Sequence, residues 1–202
     1  MFACFLPLVL GWVNFVRLGK PERVFFGLGI FLAFTEWFVW WYSATFGYNM
    51  FLYPFYGIIQ YVFIINFFKC LEVFNPIAWL FWLLLSIGLF FFVYEAFIMD
   101  PKPMLPLRLM VYTSFCVFLL SLFYFYKELQ SPQEKSYLKP SFIMTVSLMM
   151  FSLGNVFYFL LFNAFIRTKM GPLLQNFHIV LNVVFYVINA ISFYSVRLWK
   201  VK

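Results

Sequence analysis

The stretch PIAWLFWLLLSIGLFFFVYEAFIM, residues 76–99, carries one charged side chain, Glu95, in 24 positions. At about 1.5 Å of rise per residue, about 20 apolar residues cross a hydrocarbon core about 30 Å thick. The run is therefore long enough to span a bilayer as a helix. It is continuous and does not alternate, which excludes the strands of roughly ten alternating residues that build a membrane barrel.

Reading outward, six more apolar stretches lie at about 2–16, 24–45, 51–71, 105–126, 141–165 and 173–196. Only the first falls short of a full span, unless its helix begins at Met1. Hydrophobic residues make up 65% of the 202-residue chain and charged residues 10%. Soluble domains sit near one half and one quarter. The expected fold is an all-α membrane protein: a single seven-transmembrane-helix bundle forming one domain over residues 1–202. The first segment lacks a basic leader region and a small-residue cleavage site, so it reads as a spanning helix and not a signal peptide. The 33 phenylalanines read as lipid-facing bulk and interface anchors before they read as a π-rich ligand site.

The net charge of +7 invites a nucleic-acid reading, but the basic residues sit at helix ends and form no stripe. Their distribution speaks to orientation instead. Arg17, Lys20, Arg23, Lys69, Lys127, Lys135, Lys139, Arg197, Lys200 and Lys202 fall on one side; Lys102, Arg108, Arg167 and Lys169 fall on the other. The positive-inside rule then puts the N-terminus outside and the C-terminus in the cytoplasm, in what reads as a bacterial inner membrane. Cys4, Cys70 and Cys116 are an odd number without close spacing, so neither a disulfide framework nor a metal motif is indicated. Asp100-Pro101-Lys102-Pro103, with Pro106, reads as a stiff outer hairpin. Ser131-Pro132-Gln133-Glu134-Lys135 is the longest polar stretch. It reads as a solvated connector or, in the sharper reading, a cytoplasmic docking loop.

Polar side chains within the apolar runs are the candidate site. Gln175, His178, Asn182, Tyr186 and Asn189 recur at spacings of 3, 4, 4 and 3. At about 100° per residue they share one narrow stripe that should face inward. Glu36, Gln60, Asn66, Glu95, Asn155 and Asn163 offer partners on other helices. From the helical rise, Glu36, Gln60, Asn155 and Asn182 fall roughly 10–15 Å below the outer surface, with Glu95, Arg108, Gln175 and His178 nearer the rim. The functional reading is a polar cavity opening outward, with Glu36 at its floor and Glu95 and His178 near its mouth. The competing reading is hydrogen bonding between helices that holds the bundle together. A carboxyl at mid-membrane with no cation nearby should be neutral or bonded to an amide. His178, the sole histidine, should be hydrogen-bonded to a neighbouring helix, since no second histidine or cysteine is placed to complete a metal site.

Several chemistries lack their residues. No helix centre carries a lysine for a retinal Schiff base. Ser147 and Ser152 have no Gly-x-Ser-x-Gly setting, and there is no HExxH, phosphate loop or dinucleotide fingerprint. Pro132-Gln133 lies among loop charges and is no sugar-transporter motif. No enzyme, cofactor or metal is expected.

Tyr53-Pro-Phe-Tyr56 leading into Gln60-Tyr-Val, Tyr124-Phe-Tyr126-Lys-Glu-Leu129, Lys139-Pro-Ser-Phe142, Phe151-Ser-Leu-Gly154, Phe157-x-Phe159 and His178-x3-Asn182, with Glu36 in helix 2, occur in an order that resembles stand-alone seven-helix membrane proteins common in Bacteroidota. Some of that group are similar to the membrane half of sensor histidine kinases. The resemblance implies signalling through a separate partner chain. The departures are Gln60, where the group often has glutamate, and Thr113, near an acidic position of early helix 5. Three functions follow as expectations. One is a sensor-like or receptor-like module binding a small-molecule or lipid-like ligand, with a cavity lined by Glu36, Gln60, Asn155, Asn182 and His178. Another is an accessory subunit of a larger membrane assembly, with a filled interior. The last is a transporter or homo-oligomeric pore with a water path.

Overall fold

The computed structural model describes residues 2–47, 49–98, 107–130, 139–165 and 168–200. The proline hairpin and the 131–135 loop singled out above lie outside them. The described residues are helical throughout their ordered elements: α1 Phe5–Val13, α2 Lys20–Phe46, α3 Tyr53–Cys70, α4 Ala78–Val93, α5 Leu107–Leu129, α6 Pro140–Phe165 and α7 Gly171–Lys200. Five of these, α2, α4, α5, α6 and α7, are long and apolar enough to cross a membrane.

The other two depart from the sequence-based expectation for physical reasons. Residues 2–16 do not form one continuous helix. A 3-10 turn at Phe2–Cys4 precedes α1, and another at Phe15–Arg17 follows it. The break falls at Asn14, whose side-chain amide donates to the Leu10 carbonyl at 2.8 Å and so competes with the helix ladder. α3 is enclosed by its neighbours, with Pro54, Gly57, Ile58, Tyr61, Ile64, Ile65, Phe67 and Phe68 all buried. Surrounded by protein, it tolerates Gln60, Asn66, Lys69 and three tyrosines at a cost in hydropathy.

Helices α7, α1, α2, α3, α5 and α6 follow one another around a ring, and α4 packs outside it against α3 and α5. The outer position of α4 explains its composition, because Trp79, Trp82 and Phe90 are exposed where lipid would lie. Its inner face bears Gly88, where a Cβ would sit 2.5 Å from the Tyr61 ring. That close approach lets the Tyr61 and Tyr112 hydroxyls donate to the Leu84 carbonyl, at 3.1 and 2.8 Å. At the far end, α3 closes on Glu72 in the left-handed region (φ 59°). Lys127 from α5 donates there to the Leu71 and Glu72 carbonyls, at 3.3 and 3.2 Å, the favourable place for a cation at a helix C-terminus.

One half of the ring is filled. Phe25, Phe26, Phe67, Phe68, Phe185 and Phe193 are buried together, with ring centroids 5.2 Å apart for Phe25–Phe67 and 5.8 Å for Phe26–Phe193. Phenylalanine is therefore core material as well as lipid-facing bulk, since edge-to-face rings pack densely without polar atoms to satisfy. The other half of the ring is hollow.

Candidate functional site

A cavity of about 570 Å³ lies between α2, α3, α5, α6 and α7, at the end where α2 meets α3 and α6 meets α7. Each wall is one helix face. α2 contributes Leu32, Thr35, Glu36, Val39, Trp40 and Ser43; α3 contributes Tyr53, Tyr56, Gly57 and Gln60. α5 gives Met110, Thr113 and Ser114; α6 gives Phe151, Asn155, Tyr158 and Phe159; α7 gives His178, Asn182, Phe185 and Tyr186. Positions three and four apart share a face because the helix repeats every 3.6 residues. The volume lies within the range of small-molecule sites, about 300–1,000 Å³.

Glu36 is the acidic side chain of this lining, and among the described residues no lysine or arginine lines it. Its Oε1 accepts a hydrogen bond from the Tyr186 hydroxyl of α7. The partner is thus a phenol and not the amide expected from sequence. The buried Cys4 thiol, from the turn before α1, also interacts with this carboxyl.

The amides do not join helices in the expected way. Asn182 donates to the His178 carbonyl of its own helix at 2.8 Å, and Asn66 to Val62 at 2.8 Å. Asn155 is 6% exposed, and among the described residues its Oδ1 has no hydrogen-bond partner. The links between helices come instead from tyrosine and serine hydroxyls: Tyr186 to Glu36, Tyr61 and Tyr112 to Leu84, and Ser147 to the Phe185 carbonyl at 3.3 Å.

Among the described residues, His178 finds no hydrogen-bond partner on a neighbouring helix, and its Nδ1 is buried without a partner. Its ring stacks on Tyr158 instead, with centroids 4.2 Å apart and planes at 15°. A flat imidazole between α6 and α7 is held by contact area, which needs no donor on the facing helix. Tyr56 likewise has a buried hydroxyl without a partner among the described residues. Orphaned buried polar atoms are rare in folded proteins and call for an explanation.

Of the candidate residues, Glu36, Gln60, Asn155, His178, Asn182 and Tyr186 converge on the cavity. Glu95, Gln175, Asn189 and Asn66 do not line it. Glu95 sits in a π-helical turn, Tyr94–Ile98, that continues α4. Its Oε1 accepts from the Arg108 and Leu109 backbone N–H groups at 2.7 and 3.3 Å, which caps the start of α5 on the outer side of the ring. Gln175 is exposed near the start of α7, beyond the part of the stripe that faces inward. Asn189 is buried past the cavity's lining. The side chain of Asn163 lies outside the described residues.

Trp40, Tyr53, Tyr56, Thr113, Ser114 and Tyr158 line the cavity without having been singled out as site residues. Thr35 and Thr113 donate to carbonyls of their own helices, at 2.9 and 3.0 Å, so such residues cost little in an apolar segment and carry little signal. The available sign was their spacing relative to Glu36 and Gln60 on the same faces. Among the described residues, no trio of histidine, cysteine, aspartate or glutamate is gathered as a metal would need. No protein-family model, curated protein or solved structure matches the chain.

Proposed function

We propose that the chain is a sensor-like or receptor-like membrane module that binds a small or lipid-like molecule in this cavity and signals through a separate partner. All seven helices belong to the membrane domain in this reading. α1 with its flanking turns, residues 2–17, reaches about 25 Å, and α3 is enclosed by its neighbours. The cavity faces outward across a bacterial inner membrane, as the resemblance to stand-alone seven-helix proteins implies. Arg17, Lys20, Arg23, Lys69, Lys127, Lys139 and Arg197 at the opposite helix ends support that orientation, against Arg108 and Lys169 at the cavity end.

The observation that carries the proposal is the orphaned Asn155 Oδ1 in a cavity that also holds Glu36, Gln60, His178 and Asn182. An accessory subunit held together by internal hydrogen bonds would use these groups against one another. A transporter would continue the polar path through the other half, where Phe67, Phe68 and Phe193 are fully buried. A dead-end cavity above a packed half suits binding coupled to a helix shift: the Tyr186–Glu36 bond ties α7 to α2, and a ligand that replaces it changes how they sit.

The test is purification in mild detergent followed by mass spectrometry of what stays bound. A stoichiometric small molecule lost on Glu36→Ala supports the proposal. A stoichiometric protein partner, retained in that variant and with no small molecule present, would make the chain an assembly subunit.

A further inference from the structure

Three polar groups of the cavity are open to a donor on a ligand. The Glu36 carboxyl accepts from Tyr186 and, among the described residues, has no basic side chain in the lining to pair with. The Asn155 Oδ1 is a buried acceptor without a donor. The Tyr56 hydroxyl, also unpartnered, can accept as well. Around them stand aromatic faces: Trp40 at the more open side, Tyr53 and Tyr56 with centroids 6.0 Å apart, and Tyr158 stacked on His178.

We infer that the cavity takes an organic cation: a protonated amine or quaternary ammonium carried on an apolar body. This deepens the ligand-binding reading above and rests on it. An ammonium brings three donors and a charge, or with methyl groups the charge alone, to a site that offers acceptors and a carboxylate. Aromatic faces attract such a cation through their ring quadrupoles, more strongly where water is excluded. The mostly apolar remainder of the walls accommodates a hydrocarbon or aromatic body. A carboxylate or phosphate ligand would meet Glu36 with no cation among the described lining residues to offset the repulsion. The same absence disfavours the headgroup of a zwitterionic phospholipid, whose phosphate would enter with its amine, so the ammonium is expected on a soluble molecule.

The experiment uses the full chain in nanodiscs of phosphatidylglycerol alone, which carry no amine headgroup. Equilibrium binding is measured for three probes sharing one indole body: tryptamine (cationic), tryptophol (neutral) and indole-3-acetate (anionic). A dodecyl series with the same three heads repeats the comparison. The inference expects the amine of at least one series to bind at least tenfold tighter than its alcohol, with the acid weakest. Glu36→Gln should abolish that preference, bringing the amine's affinity to within twofold of the alcohol's measured on the same variant. Phosphatidylethanolamine added to the discs should not displace the amine; displacement would keep the ammonium and reassign its source to membrane lipid. Equal binding of all three heads, lost when the cavity is filled by Ser114→Phe, would overturn the charge inference and leave the ligand-binding reading standing. No binding of any probe at millimolar concentration to a monodisperse protein would overturn both. Should Glu36→Gln fail to fold, the comparison of heads on the unaltered chain still decides.

Discussion

Replacing Asn155 with leucine separates a binding site from internal glue, because the two readings predict opposite signs. A residue that holds helices together loses stability when its hydrogen bonds go, by about 0.6 kcal/mol on average between membrane helices. Asn155 has a buried Oδ1 with no partner, and an unsatisfied buried acceptor costs about 1–3 kcal/mol. Leucine removes that cost and adds an apolar side chain beside a cavity of about 570 Å³, so its extra volume meets open space and no overpacking. The expected result is a gain of about 1 kcal/mol, seen as a rise of about 2–4 °C in Tm for a domain of this size. The assay is thermal unfolding of the dialysed, ligand-free protein in detergent, run beside ligand binding, which the same substitution should weaken. A variant that stays monodisperse yet melts several degrees lower would refute the reasoning, since Asn155 would then be making a stabilising bond.

Glu95→Ala should destabilise by about 1–2 kcal/mol, because the Arg108 and Leu109 N–H groups lose their cap, and should leave binding in the cavity unchanged; weakened binding would return Glu95 to the site. Gly88→Leu places side-chain atoms where the Tyr61 ring lies. It should cost about 1–3 kcal/mol, read as a lower unfolding midpoint, with neutral behaviour ruling out the tight α3–α4 contact. Cys70 is exposed at the end of α3, whereas Cys4 and Cys116 are buried. In intact cells a membrane-impermeant maleimide should therefore leave the protein unlabelled until the cells are opened, and labelling from outside would reverse the proposed orientation.

The amino-acid sequence by itself determined the helical class, because long apolar runs in lipid must satisfy their backbone internally and only helices do so with continuous hydrophobicity. It also determined which face of α7 turns inward over His178, Asn182, Tyr186 and Asn189, since a polar stripe in an apolar helix has one affordable direction. It could not decide partners. Glu95 and Glu36 look alike as single carboxyls in apolar runs, yet one caps α5 outside the ring and the other enters the cavity, because α4 packs outside while α2 closes the ring. Nor could it separate the filled half from the hollow half. Phenylalanine is plentiful in both, and whether six rings meet or leave a gap depends on interhelical distances that no single helix encodes. Tyrosine became the link between helices for a similar reason: its hydroxyl stands far enough from its own backbone to reach a neighbour, whereas asparagine and threonine fold back onto the helix they belong to.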